Sequence, residues 1–362
     1  MSHQIGFPLS IIVPVFNEAD RLADLFAELE RQQAVAFEVL ICDGGSTDET
    51  LEAARRLGEK ASFPCRILIS PPGRGRQMNA GAVASGGRFL LFLHVDSSFP
   101  DSGALAKGLQ AMAGEMERRG SDRVAGHFAL RFQREGSSPS LAYYFYEVKA
   151  CLGRPGTIHG DQGFLLPQKF FRLIGPFDES LGYMEDDRLA VRVFQKGCWS
   201  LLPARLQTSA RRFEREGFFR RQVLNALIIS LEEAGRNDLL QELPNLYRHQ
   251  QAAGRLRVKP FFARVRRALC DLSAEERRCF WDSSGRLLAA NIWQIFLLAD
   301  AWRGYRKDIP QETVSIDALS WYEKHLEKTF KSSFGIKLCI LATWLWLHLQ
   351  AGFPMLSSRR EV

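Results

Sequence analysis

Four short apolar runs rich in β-branched residues stand in the first hundred positions, at Leu9–Val15, Phe37–Asp43, Arg66–Ile69 and Arg88–His94. Their length and composition predict buried strands. The stretches between them carry the other period. Ala19–Gln33 places Leu22, Leu25, Phe26 and Leu29 on one stripe, and Ser46-Thr-Asp-Glu49 reads as a capping box opening a helix over Thr50–Glu59. Strands and helices in alternation predict an open α/β sheet, mostly parallel. Beyond Asp101 the pattern is mixed, with a strand at Arg123–Phe132, a Gly/Ser loop near Glu135–Ser140, and helices at Gln168–Ile174 and Asp186–Lys196. From Phe218 onward nearly everything reads as helical, so a soft boundary falls near residue 215, and no internal repeat is found.

Composition narrows the class without choosing a function. A chain of 362 residues with 46% hydrophobic and 25% charged positions buries a substantial core and is neither disordered nor disulfide-stapled. Its seven cysteines are scattered, with no pair at the spacing of zinc or redox sites, and read as reduced thiols of a cytosolic protein. No basic region followed by a long apolar stretch opens the chain, which argues against secretion. The net charge of +7 is local, because Pro203–Arg267 holds fourteen Lys and Arg against six Asp and Glu. Such a segment suits anionic headgroups, phosphorylated ligands or simple solvation of a helical face. No aromatic platform is interleaved with it, so nucleic acid is not an expected partner.

In open α/β sheets the ligand crevice lies beyond the carboxyl ends of the strands. Those ends are polar and specific here: Pro14-Val-Phe-Asn-Glu18, Asp43-Gly-Gly-Ser-Thr-Asp48, Pro71 to Gly81, and His94-Val-Asp96. Asp43 can accept hydrogen bonds from a nucleobase or support the Gly44-Gly45 turn, and Phe16 can stack on a base or join the core. Gly73-Arg-Gly75 with Arg74 and Arg76 at a helix start suits a diphosphate. No Walker loop or dinucleotide fingerprint is present, which counts against kinases and dehydrogenases. Asp96 can share a hard divalent cation with phosphate oxygens or cap a turn, with His94 two residues before it. Met184-Glu-Asp-Asp187 puts three carboxylates on the first turn of a helix, more than a cap requires, and a general base needs such a group.

Taken together, Ser10 to Glu18, Cys42 to Asp48, Asn79-Ala-Gly81, Phe92 to Asp96 and Met184 to Leu189 resemble, in order and spacing, the family 2 glycosyltransferases over residues 8–215. Asp43-Gly-Gly45, His94-Val-Asp96, Gly160-Asp-Gln-Gly163 and Thr208–Arg215 are similar to the bacterial branch named for its association with radical-SAM and selenium-related proteins. The resemblance implies a GT-A fold, an open mixed sheet flanked by helices, followed by a helical extension over 216–362. It also implies a UDP- or GDP-linked sugar donor, an acceptor of unknown identity, and a divalent metal, Mn²⁺ or Mg²⁺. By the same resemblance Pro14, Phe16, Glu18, Asp43, Arg76 and Asn79 serve the nucleotide sugar and Asp96 the metal and diphosphate. Asp186 is the base in an inverting displacement, with Glu185 beside it, and Asp161 and Gln162 face the acceptor. Arg211 and Arg212 either assist the leaving group or belong to the basic surface. The family's usual Asp-x-Asp is here His94-x-Asp96.

Residues 216–362 carry no assignable motif. Leu338–Ser358 has no formally charged residue, and Trp344 and Trp346 lie between Lys337 and Arg359-Arg360. That pattern suits a helix in a membrane interface, a core element or a dimer contact. The enzyme is thus expected in the cytoplasm, with peripheral contact at the inner face of the cytoplasmic membrane as one option. The alternative to an enzyme is a noncatalytic membrane-surface or scaffold protein on the same fold. The catalyst expected here requires Asp43, Asp96 and Asp186 to gather around one ligand.

Overall fold

A computed structural model describes residues 8–136, 138–182, 184–248 and 254–352. It divides into two units. The first comprises the chain through Ser137 together with Tyr146–Ser209, and the second Ser138–Phe145 together with the chain from Ala210 onward.

The first unit is built on one sheet. Strands β1 (Leu9–Val15), β2 (Phe37–Asp43), β3 (Cys65–Ile69) and β4 (Phe89–Phe92) are mutually parallel, while β5 (Ser97–Ser98), β6 (Val124–Gln133), β7 (Phe164–Pro167) and β8 (Cys198–Ser209) complete the order β3-β2-β1-β4-β7-β6-β8-β5. The strand β7 runs antiparallel to both β4 and β6, so the sheet is mixed. Buried runs such as Leu9, Ile11 and Val13 on one face, and Ile12, Leu40 and Leu90 on the other, form two apolar layers. A sheet covered on both faces favours nearly continuous apolar strands; β4 is wholly apolar, while β1 and β2 interrupt their apolar runs with Ser10 and Glu38, whose side chains hydrogen-bond each other at 2.7 Å. The covering helices are α1 (Ala19–Glu30), α2 (Thr50–Gly58), α3 (Arg74–Ala84), α4 (Ala104–Arg119), the second half of α5 (Leu141–Ala150), α6 (Gln168–Ile174) and α7 (Glu185–Lys196).

One element goes unannounced by the sequence and one expectation changes. The strand β8 carries Pro203 and Arg205 and shows no clean alternation, so its sequence hides it; Phe128 pairs with Leu202 but Ala129 with Arg205, and the two extra residues bulge at the proline. The capping box at Ser46–Glu49 does not form, because the α2 N-cap residue Glu49 makes no side-chain cap. Ser46 is instead turned back to Asp43, and Asp48 Oδ1 accepts from the Thr50 backbone N–H at 3.0 Å.

The second unit is helical among its described residues. Besides the first half of α5 it contains α8 (Arg211–Glu216), α9 (Phe218–Glu233), α10 (Asn237–Arg248), α11 (Lys259–Asp271), α12 (Ala274–Asn291), α13 (Trp293–Arg306), α14 (Asp317–His325), α15 (Glu327–Phe330) and α16 (Ser333–Ala351). Leu227, Leu231, Phe261, Phe262 and Leu297 are among its fully buried residues. A full capping box opens α12, where Ser273 and Glu276 exchange hydrogen bonds.

Candidate active site

The loops after β1 and β2 are stitched to each other. Asn17, held at φ 53°, accepts from the Thr47 backbone N–H at 2.8 Å, and its own N–H donates to Ser46 Oγ at 2.9 Å. The Glu18 N–H donates to Thr50 Oγ1 at 2.9 Å. Under both loops, the Gln77 amide of α3 donates to the carbonyls of Val15 and Cys42, each at 2.7 Å. Phe16 stands out from this frame with 53% of its surface exposed, so it is no core residue. Asp43 is buried, and its carboxylate accepts from the N–H groups of Gly45 and Ser46 at 2.9 and 3.0 Å and from the Ser46 hydroxyl. Its turn-supporting role is therefore present in the structure. Pro14 lies within β1, opposite Cys42.

A second cluster forms where β4, the turn Gly160–Gln162 and the start of α7 meet. Arg74, first residue of α3, is ion-paired with Glu185, and its Nη1 lies 3.5 Å from His94 Nε2. Glu185 is only 1% exposed, and burial raises its pKa in spite of that arginine. The Gly160 N–H donates to Asp186 Oδ2 at 2.8 Å. Any Cβ at Gly160 would sit 2.9 Å from that oxygen and 3.3 Å from His94 Nε2, so glycine is required for this close approach. Burial works against the charge on Asp186, but Arg74, His159 and the Gly160 N–H outweigh it and hold its pKa below the usual carboxylate range. His159 Nδ1 donates to Asp187 Oδ1 at 2.6 Å, and this carboxylate keeps the imidazole pKa raised against burial. Preceding the three carboxylates, Met184 adopts φ 68°, a strained conformation for its type.

Asp161 is the exceptional member. Its Oδ1 is shut off from solvent and has no hydrogen-bond partner among the described residues. Burial, with Asp186, Asp187 and Asp96 nearby, pushes its pKa up to about 6, against the pull of His159. Asp96 makes no hydrogen bond among the described residues. Asp96, Asp161 and Asp186 thus share one electrostatic environment, whereas Asp43 is committed to its own turn at the end of β2, so the expected gathering is met by Asp96 and Asp186 and not by Asp43.

Three assignments change on burial and bonding. Gln162 is completely buried, its Oε1 2.7 Å from His127 Nδ1 and its Nε2 donating to the Thr157 carbonyl at 2.7 Å, so it braces the turn from behind and does not face an acceptor. Asn79 is likewise buried. Its amide donates to the Phe177 carbonyl and Glu179 Oε1 and accepts from the Phe177 N–H, all at 2.9 Å, so both of its donors are spent inside the protein and it serves to hold the segment at Phe177. Arg74, read as a diphosphate ligand, is instead the partner of Glu185. Arg76 remains exposed, 3.9 Å from Glu179. Arg211 and Arg212 open α8 in the second unit. The sequence assigns no role to Gln77, His127 or His159 and no partner to Asp187, because the groups they meet lie 28 to 62 residues away and no local spacing announces them.

The divalent cation implied by the resemblance can be tested against these donors. Asp96 and the orphaned oxygen of Asp161 are hard oxygen donors of the kind Mg²⁺ and Mn²⁺ prefer. Among the described residues no three His, Cys, Asp or Glu are arranged to hold a metal by themselves. Asp96 and Asp161 alone would hold a divalent cation only together with oxygens of a ligand.

Carboxylates gathered at strand and helix ends of a mixed α/β sheet give the geometry, and the comparisons define the class. Residues 10–168 match the model for glycosyl transferase family 2. A PGL/p-HBAD biosynthesis glycosyltransferase of Mycobacterium tuberculosis is 31% identical over 194 residues, which span 51% of this chain and 69% of that protein. The human dolichyl-phosphate beta-glucosyltransferase is 34% identical over 114 residues, covering 28% and 35% of the two chains. A solved mannosyltransferase from Pyrobaculum calidifontis, in complex with GDP-Man and Mn²⁺, aligns with a TM-score of 0.49 and 16% identity over 95% of this chain and 88% of that one. The chain belongs to glycosyl transferase family 2 and is a glycosyltransferase. A noncatalytic scaffold is thereby set aside.

Proposed function

We propose that this enzyme moves a sugar from a UDP- or GDP-linked donor to an acceptor hydroxyl with inversion, Asp186 serving as the base. The observation that carries the reading is the state of Asp186, a partly buried carboxylate kept ionised by Arg74, His159 and the Gly160 N–H beside the unpartnered Asp161. Such a group can take a proton from a hydroxyl at neutral pH without first losing one. Phe16 and Glu18 would meet the nucleoside, with Asp43 shaping the turn beneath it and Arg76 free to turn toward a diphosphate. Asp161 would receive the acceptor hydroxyl. Asp96 would hold Mn²⁺ or Mg²⁺, which when bound supplies charge stabilisation to the departing diphosphate. The chemistry is read as cytoplasmic, and the motifs Asp43-Gly-Gly45, His94-Val-Asp96 and Gly160–Gly163 support the radical-SAM and selenium-associated branch.

The test is nucleoside diphosphate release from a panel of nucleotide sugars with Mn²⁺, Mg²⁺ or EDTA. Release that needs metal, is lost in Asp96→Asn and Asp186→Asn, and yields the opposite anomer in the product is expected. Retained anomeric configuration, or full activity of Asp186→Asn, overturns the mechanism.

A further inference from the structure

We propose that α16 is an interfacial helix that seats the protein on an anionic lipid surface. One face of α16 is packed within the second unit: Cys339, Leu347 and Ala351 are buried, Trp346 meets the Phe262 ring edge-on at 4.9 Å, and Ile340 lies so close to Gly285 of α12 that a Cβ there would approach it to 2.3 Å. The opposite face is apolar and open. Phe334, Leu338, Leu341, Leu345 and Leu349 recur at helical spacing, 41 to 67% exposed, with Trp344 beside them. Five such residues on four turns form a continuous stripe, and soluble surfaces rarely leave one that long uncovered.

The charge around the stripe names the occupant. From Lys328 to Arg360 the chain has five Lys or Arg and no Asp or Glu. Lys328, Lys331 and Lys337 lie at its amino-terminal end, with Lys331 paired to Glu327 at 2.6 Å and Lys328 and Lys337 in excess of it. At the other end Arg266 donates to the Gly352 carbonyl at 2.6 Å, and Lys259 Nζ is within 3.3 Å of the Cβ position of Gly352. An apolar face with cations in excess at both ends and Trp344 at its flank complements anionic headgroups over acyl chains. The helix is long and apolar enough to cross a bilayer. Its packed face, pressed against Gly285 and Phe262, favours lying in the interface with only the open stripe immersed. This role is independent of the transferase reading and needs no donor or acceptor.

Co-sedimentation of the full chain with vesicles of phosphatidylcholine, with and without 30% phosphatidylglycerol (about a third, enough to make the surface anionic), tests it. Binding to the anionic vesicles that falls at least tenfold with added salt, and at least tenfold in Leu341→Glu/Leu345→Glu, is expected. Should that variant lose its circular dichroism signature, Leu338→Asn/Leu349→Asn reads the same face with less charge. Brominated lipid should quench tryptophan emission in the parent and less in Trp344→Phe. Wild-type protein left in the supernatant, or binding untouched by both double variants, overturns the proposal. So does retention in the pellet after alkaline carbonate, which would mean a spanning helix. A dimer that the same variants dissolve, without any vesicle binding, would make a second copy the occupant and overturn it too.

Discussion

Two groups of polar side chains share the carboxyl ends of one sheet, and they are finished differently. Around β1 and β2 the acceptors find donors within the loops themselves: Asp43 in its own turn, Asn17 across to Thr47, Asp48 at Thr50. Around α7 the carboxylates of Asp96, Asp161, Asp186 and Asp187 crowd together, and one buried oxygen is left without a partner. Buried polar groups are nearly always satisfied, so an orphan among like charges marks a place where stability has been given up for chemistry. The first group holds a shape; the second waits for a ligand's charge.

The strongest way to break this contrast is Asp186→Asn. Turnover should fall about 10³-fold, within the range for loss of a general base, while the melting temperature stays near that of the parent; an Asn variant with a tenth of the activity would remove the distinction. Next in size is a pH effect behind the site. Burial depresses the pKa of His127 to about 4, below its ordinary 6.5. Between those values the unfolded chain binds the proton and the folded one refuses it, so stability rises with pH. The loss on acidifying from pH 7 to 4 should approach about 3 kcal/mol from this group. Urea melts at several pH values should show the slope, and His127→Gln should flatten it. Asn79→Ala would leave the Phe177 N–H and carbonyl without partners and should cost about 2 kcal/mol in the same assay. Phe16→Ala, at an exposed ring, should leave folding unchanged and weaken donor binding by about 1 kcal/mol, read by calorimetric titration.

Much of the fold can be read from the sequence because strands such as Leu9–Val15 and Phe37–Asp43 are buried on both faces, and their apolar runs end where the structure ends them. Helix Gln168–Ile174 is equally plain. The strand Cys198–Ser209 is not, since a bulge at Pro203 breaks the alternation that identifies strands. In the site, Asp96, Asp161 and Asp186 are visible as carboxylates at strand and helix ends. What each does depends on partners distant in sequence. Arg74 meets Glu185 across 111 residues, and Asn79 meets Phe177 across 98, so local spacing suggests an anion ligand and a nucleotide contact where the folded chain supplies internal partners. Periodicity reports burial, and burial alone does not say which hydrogen bonds are already used.

The Gln77 amide carries a consequence for donor selection. Because one side-chain nitrogen grips the chain after the first strand and after the second, those segments are tied to a common crossbar and cannot part independently. If the proposed donor site lies there, a nucleoside would meet a mould set when the protein folded, and sugars on different bases would be told apart by fit to it without a loop having to close.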